Sequence, residues 1–167
     1  MAYSTGSRSE EILRIFAVIM FGGLLMVVQR WWFSAGVIDL NVSDDELWVM
    51  EHFTPVAIIV FIDSVFWAGM WYLTALGSNN NYVPEKHYKQ ILIRWGGFFL
   101  ATLAITVGVA LYFYRDASST ALPLFVGFFI INTMLIYWVS TAISTPGLLA
   151  YVVPGSVLLR KLFRIDN

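Results

Sequence analysis

Four stretches of this chain, 15–33, 53–73, 91–113 and 122–143, are almost wholly apolar, and none holds more than one charged residue. A helix that crosses roughly 30 Å of hydrocarbon needs about 20 such residues, because all its backbone amides must be satisfied within the segment. The composition agrees: of 167 residues, 59% are hydrophobic and 13% charged, against about 25% charged in a soluble domain. The sequence therefore predicts an all-α, integral membrane four-helix bundle, one transmembrane domain over the whole chain. An ordinary soluble enzyme core and a disordered chain are excluded on the same count. Without cysteine, disulfide scaffolds and thiolate-held metal or iron-sulfur sites fall away. A net charge of −1 with no basic run excludes nucleic acid as a partner and leaves lipids and other membrane-embedded chains.

The span ends carry the residues that suit a membrane interface. The first stretch closes on Gln29, Arg30, Trp31, Trp32 and Phe33, and Trp48 and His52 precede the second. Arg30, Trp31, Trp32, Trp48 and His52 are read as an interface belt, with amphipathic rings at the headgroup level. Arg94, one turn inside the third stretch, can snorkel back to the interface. Residues 145–167 are apolar but broken by Pro146, Gly147, Pro154 and Gly155. They are expected to form a short interfacial or re-entrant segment with a basic tail. The two acids at Glu10 and Glu11 and the length of the run behind them argue against a cleaved secretory signal. Eight of the ten basic residues, Arg8, Arg14, Lys86, Lys89, Arg94, Arg160, Lys161 and Arg164, fall on the side of the termini, and only Arg30 and Arg115 on the other. The positive-inside tendency then places both termini and the loop 78–90 in the cytoplasm of a cell-membrane protein. The loop 34–47, with Asp39, Asp44, Asp45 and Glu46, faces outward, with Ser43 as the expected helix N-cap.

An ionisable group within a span needs a partner or a task. Asp63 is the deep one, and counting from the span ends puts Thr102, Asn132 and Thr133 at its depth, with Gly22 and Gly23 level on the first helix. A buried polar layer of Asp63, Thr102, Asn132 and Thr133 is expected, either hydrogen-bonding helices together or moving a proton or cation. His52 lies about 16 Å from Asp63 by helix rise, too far for a shared metal. His87 falls in the cytoplasmic loop. Copper, iron and zinc centres usually take two or more histidines, so two on opposite sides of a membrane do not build one alone. No catalytic residue, phosphate loop, nucleophile elbow or HExxH pattern is present. The adjacent pairs Gly22–Gly23 and Gly96–Gly97 point to close helix approach.

The spacing of QRWWF at 29–33, an acidic loop, Trp48, Trp67, Trp71, YVPEK at 82–86 and YFYRDAS at 112–118 resembles the N-terminal part of the C subunit of the copper membrane monooxygenases, the particulate methane and ammonia monooxygenases. The likeness runs almost without gaps from residue 29 to 118. It implies a hetero-oligomeric membrane complex that contains copper, with other integral subunits as partners. In that family the C subunit's metal-binding Asp and His residues follow the segment resembling YFYRDAS. Here no histidine follows His87, and no acid lies between Asp116 and Asp166. The ligands are not carried over, so the resemblance implies a bracing, accessory subunit that binds no cofactor alone. The archaeal ammonia monooxygenases, whose C subunit looks shortened at its N-terminus, are the assemblies where such a separate chain would restore missing helices.

Two other classes stay open at this point. One is a small proton or cation transporter or channel that uses the Asp63 layer; the other is a quinone- or pigment-binding accessory subunit of a respiratory or photosynthetic complex, with aromatic residues lining its pocket. The topology is testable directly in a cysteine-free chain. A cysteine at Ser43 is expected to react with a membrane-impermeant maleimide on intact cells, and one at Asn80 only after permeabilisation; the reverse pattern would invert the orientation.

Overall fold

The apolar stretches all become helix, and no strand occurs among the described residues, which in this computed structural model are 8–38, 40, 43–78, 85–115, 121–145, 149 and 151–163. In chain order they form α1 (Arg8–Ser34), α2 (Asp45–Trp48), α3 (Thr54–Ser78), α4 (Glu85–Phe113), α5 (Ala121–Thr133), α6 (Ser140–Ser144) and α7 (Ser156–Leu162). Wide turns at Val49–Phe53 and Met134–Val139 join α2 to α3 and α5 to α6. Four helical segments, Ser9–Ser34, Asp45–Gly77, His87–Phe113 and Leu122–Ser144, are long and apolar enough to cross a membrane. The chain is thus an all-α, multi-pass membrane bundle.

The helices outrun the apolar stretches, because hydropathy finds only the lipid-embedded part. Glu85 to Gln90, rich in the helix formers Glu, Lys and Gln, extends α4 beyond the third stretch, so His87 and Lys89 sit on a helix and not in a loop. The second span begins at Asp45, and its N-cap is Asp44, one residue past the expected Ser43. Asp44 has the extended backbone a cap requires, and its carboxylate accepts the Leu47 N–H at 2.9 Å. The N-terminal segment 1–7, Asp39, the turn around Pro84, Asp116, Pro146, Gly147 and the tail 164–167 lie outside the described residues.

Local chemistry explains the helix ends and the wide turns. α1 stops because Gly36 takes the left-handed conformation (φ 65°). This lets the N–H groups of Gly36 and Val37 close back onto the Phe33 and Trp32 carbonyls at 3.2 and 3.0 Å, the paired bonds of a Schellman ending. At Pro55 the missing N–H and the ring's clash with the carbonyl four residues back disfavour a regular turn. The helix widens instead, and the Thr54 N–H and hydroxyl both reach the Val49 carbonyl, five residues earlier. The second wide turn precedes Ser140 and Thr141, whose hydroxyls bond the carbonyls of Ile136, Tyr137 and Trp138 and compete with the backbone ladder.

α4 packs against α3 and α5, while α1 packs against α6 and its preceding wide turn and touches α3. The central pair is therefore the second and fourth spans. A third of the apolar window of each is buried within the chain (33%), against 17% for α1 and α4. Close approach occurs at one of the two glycine pairs. A Cβ on Gly22 would lie 2.4 Å from the Ile136 side chain, and one on Gly23 3.2 Å from the Phe61 ring, whereas Gly96 and Gly97 have nothing within 4 Å. Beyond α6 the chain folds back on the bundle end. Leu149, Val152 and Val153 are buried there, and Ser156 donates to the Ala142 carbonyl at 2.6 Å. Gly155 supplies the positive φ (77°) before α7, and its place under the Trp138 ring leaves little room for a side chain. The outward face of α7 carries Leu158, Leu162 and Phe163 beside Arg160 and Lys161, the mixture suited to an interfacial helix.

Gly22→Val is expected to destabilise the bundle by about 1–3 kcal/mol through overpacking, read as a lower thermal midpoint in detergent. Gly97→Ala should leave the midpoint unchanged or slightly raised.

Candidate functional site

The polar side chains of the spans are the candidates, and the structure sorts them into separate pairs. Asn132 and Thr133 are consecutive on α5, so they project about 100° apart and reach different neighbours. Asn132 and Gln29 of α1 exchange two amide hydrogen bonds, Asn132 Nδ2 to Gln29 Oε1 at 2.7 Å and Gln29 Nε2 to Asn132 Oδ1 at 3.2 Å. The Thr133 and Thr106 hydroxyls meet at 2.9 Å, tying α5 to α4. Thr102 is buried, but its hydroxyl donates to the Phe98 carbonyl of its own helix at 2.8 Å. Asp63 accepts from the Trp67 indole at 3.0 Å, one turn further along α3. The single layer expected from shared depth is thus resolved into distinct contacts, because depth along a helix says nothing about the direction a side chain takes around it.

A second set of polar contacts, absent from the sequence reading, holds the opposite half of the bundle. Trp71 donates to Thr145 Oγ1 at 2.8 Å and Trp95 to Thr141 Oγ1 at 3.0 Å, and the Tyr137 hydroxyl donates to the Trp95 carbonyl at 3.0 Å. The two threonine hydroxyls pass their own protons to carbonyls one turn back, at Thr141 and Trp138. Trp138 reaches the Pro154 carbonyl at 2.8 Å, and Arg160 donates to that of Thr145. The missed signal was the S-T-x-x-S-T run at 140–145 and the glutamine at 29, polar residues within or beside apolar stretches.

The expected interface belt divides in the same way. Trp31 is 62% exposed and Arg30 is exposed, as belt residues should be, while Trp32 is half-buried. Trp48 instead lies between aromatic rings, stacked on His52 at 4.8 Å and on Tyr114 at 5.8 Å and tilted against Phe125 at 4.9 Å. These rings join a core of Phe33, Phe53, Phe125 and Phe129. The His52 ring lies 3.1 Å from the Trp48 carbonyl through Nδ1, which must be the donor there because a carbonyl only accepts. Tyr114 closes the end of α4 with a hydroxyl bond to the His52 carbonyl at 3.3 Å. Burial pushes the pKa of that phenol well above its ordinary value, so it stays a donor. Beside this stack a recess of about 280 Å³ is lined by Glu51, His52, Tyr112, Phe113 and Arg115.

Among the described residues no three His, Asp or Glu side chains lie close enough to hold a metal ion together. Compared with known families, curated proteins and solved structures, the chain has no match.

A hydrogen bond between membrane helices is worth about 0.6 kcal/mol on average and up to about 1.7. Gln29→Leu or Asn132→Leu alone strands a buried amide and should lower stability by about 1–3 kcal/mol. The double variant is expected to recover part of that loss, so a thermodynamic cycle in detergent should show positive coupling.

Proposed function

We propose that this chain is a structural, accessory integral membrane subunit of a copper-dependent ammonia or methane monooxygenase complex, one that contributes no copper ligands of its own. The structural role rests on one observation: the interior polar groups Gln29, Asn132, Thr106, Thr133, Trp71, Trp95, Thr141 and Thr145 bond helix to helix. The class of complex rests on the sequence spacing from QRWWF to YFYRDAS. Copper does not fit the described side chains: His52 lies in the wide turn before α3 and His87 in the first turns of α4, with no cluster of ligands around either. No oxidation step is therefore assigned to these residues. α1 turns a broad apolar face outward through Ile12, Leu13, Phe16, Met20 and Leu24, a surface for partner subunits or lipid to cover. In this reading the complex sits in the cell membrane with both termini of the chain in the cytoplasm.

A second reading, proton or cation transport, is favoured by one feature. Asp63 Oδ2 is buried and has no hydrogen-bond partner among the described residues, and neither has the neighbouring Ser64 hydroxyl. An intramembrane carboxyl with a free oxygen suits a relay as well as a contact. Two measurements separate the readings. Purified gently from native membranes, the chain should carry monooxygenase subunits with it, and migration alone would overturn the proposal. Asp63→Asn in vesicles of the purified chain should leave proton and cation flux at background. A tenfold loss of flux on that substitution would establish transport instead.

A further inference from the structure

Between α1 and the first half of α3 runs a lateral groove of about 290 Å³, lined by Met26, Val27, Phe53, Ala57 and Phe61, with Arg30 at one end. We propose that it is a phospholipid site, with one acyl chain in the groove and the lipid phosphate on the Arg30 guanidinium. The inference needs only the membrane-spanning fold and stands apart from the monooxygenase reading.

The groove follows one face of α1, Gly23, Met26, Val27 and Arg30, and the facing residues of α3 and its preceding turn. Gly23 lets the Phe61 ring come close to α1, and the groove continues from there toward Arg30 between Met26, Val27, Phe53 and Ala57. From Gly23 to Arg30 the helix rises about 10 Å, all within the span Ser9–Ser34. The groove therefore lies at hydrocarbon depth, and its rims, Val27 at 63% and Ile58 at 53% exposed, open it sideways. At that depth an occupant must satisfy its own polar groups, which favours a hydrocarbon chain or a helix. Of these two, a phospholipid chain also brings an anion to the Arg30 end of the groove.

Arg30, whose apolar stem lines the end of the groove, supplies the second half of the site. Arg30 is exposed and has no acidic partner among the described residues, and the exposed Trp31 beside it marks the headgroup level. A guanidinium matches phosphate oxygens in bidentate fashion, so the groove and the cation together select a molecule with an apolar tail and a phosphate a short distance apart.

Native mass spectrometry of the full chain, delipidated and then supplied with a defined lipid, reads this directly. One phosphatidylglycerol or phosphatidylcholine per chain should persist through detergent removal, while diacylglycerol, which lacks the phosphate, should be lost. Arg30→Gln is expected to lower phospholipid retention at least tenfold. Val27→Trp, on the exposed rim where folding is least at risk, should do the same by filling the groove. Retention equal to the parent chain in both variants, or equal retention of diacylglycerol, would overturn the proposal. So would a photo-crosslinker at Ile58 in native membranes that captures a polypeptide rather than lipid.

Discussion

Lipid tails are as apolar as leucine, so helices in a bilayer gain little from burying apolar surface against each other, and association falls to close packing and interhelical hydrogen bonds. In this bundle the two mechanisms meet on the fourth span. Asn132 turns toward α1 and Thr133 toward α4, so adjacent residues on one helix hold neighbours on two sides. Four residues further along, Ile136 fills the place that Gly22 leaves open. Because the two polar contacts diverge from one backbone, the rotation of the fourth span about its axis is set by both, and α1 and α4 are oriented by the same helix.

The wide turns matter for the same reason. An extra residue in a helical turn rotates everything beyond it by about 100° relative to a regular helix. The turn at Val49–Phe53, forced by Pro55, points Val49 and Phe53 into the aromatic core while Trp48 and His52 stack along its edge. The turn at Met134–Val139 sets the direction of the serine and threonine run at 140–145, whose hydroxyls receive the indoles of Trp71 and Trp95. One end of the bundle is thereby held by stacked rings and the other by indole-to-hydroxyl bonds.

This division bears on function. Side chains that bond helix to helix are not free to bind substrate, and most of the polar groups of the spans are engaged in that way. Asp63 and Ser64 stand apart: Trp67 takes one oxygen of Asp63 and leaves the other buried, and the Ser64 hydroxyl is buried without a partner among the described residues. The groove beside Arg30 is another place where the packing stays open, and it opens sideways rather than into the bundle.

The crossing segments and their number were legible in the residues alone, because apolar length and the need to satisfy backbone amides in lipid are local properties of a stretch of chain. Depth was legible only coarsely: Asn132 meets Gln29, about two turns along α1 from the Gly22–Gly23 level expected for it, and Gly22 meets Ile136. Which side chains meet was not. Gln29, Thr106 and Thr141 gave no periodic signal, Trp48 passed for a belt residue, and the layer around Asp63 came apart into separate contacts. Partner choice depends on the angle of each side chain around its helix, and that angle is decided by the wide turns, the glycine contacts and the neighbouring helices together, which only the tertiary structure brings into one place.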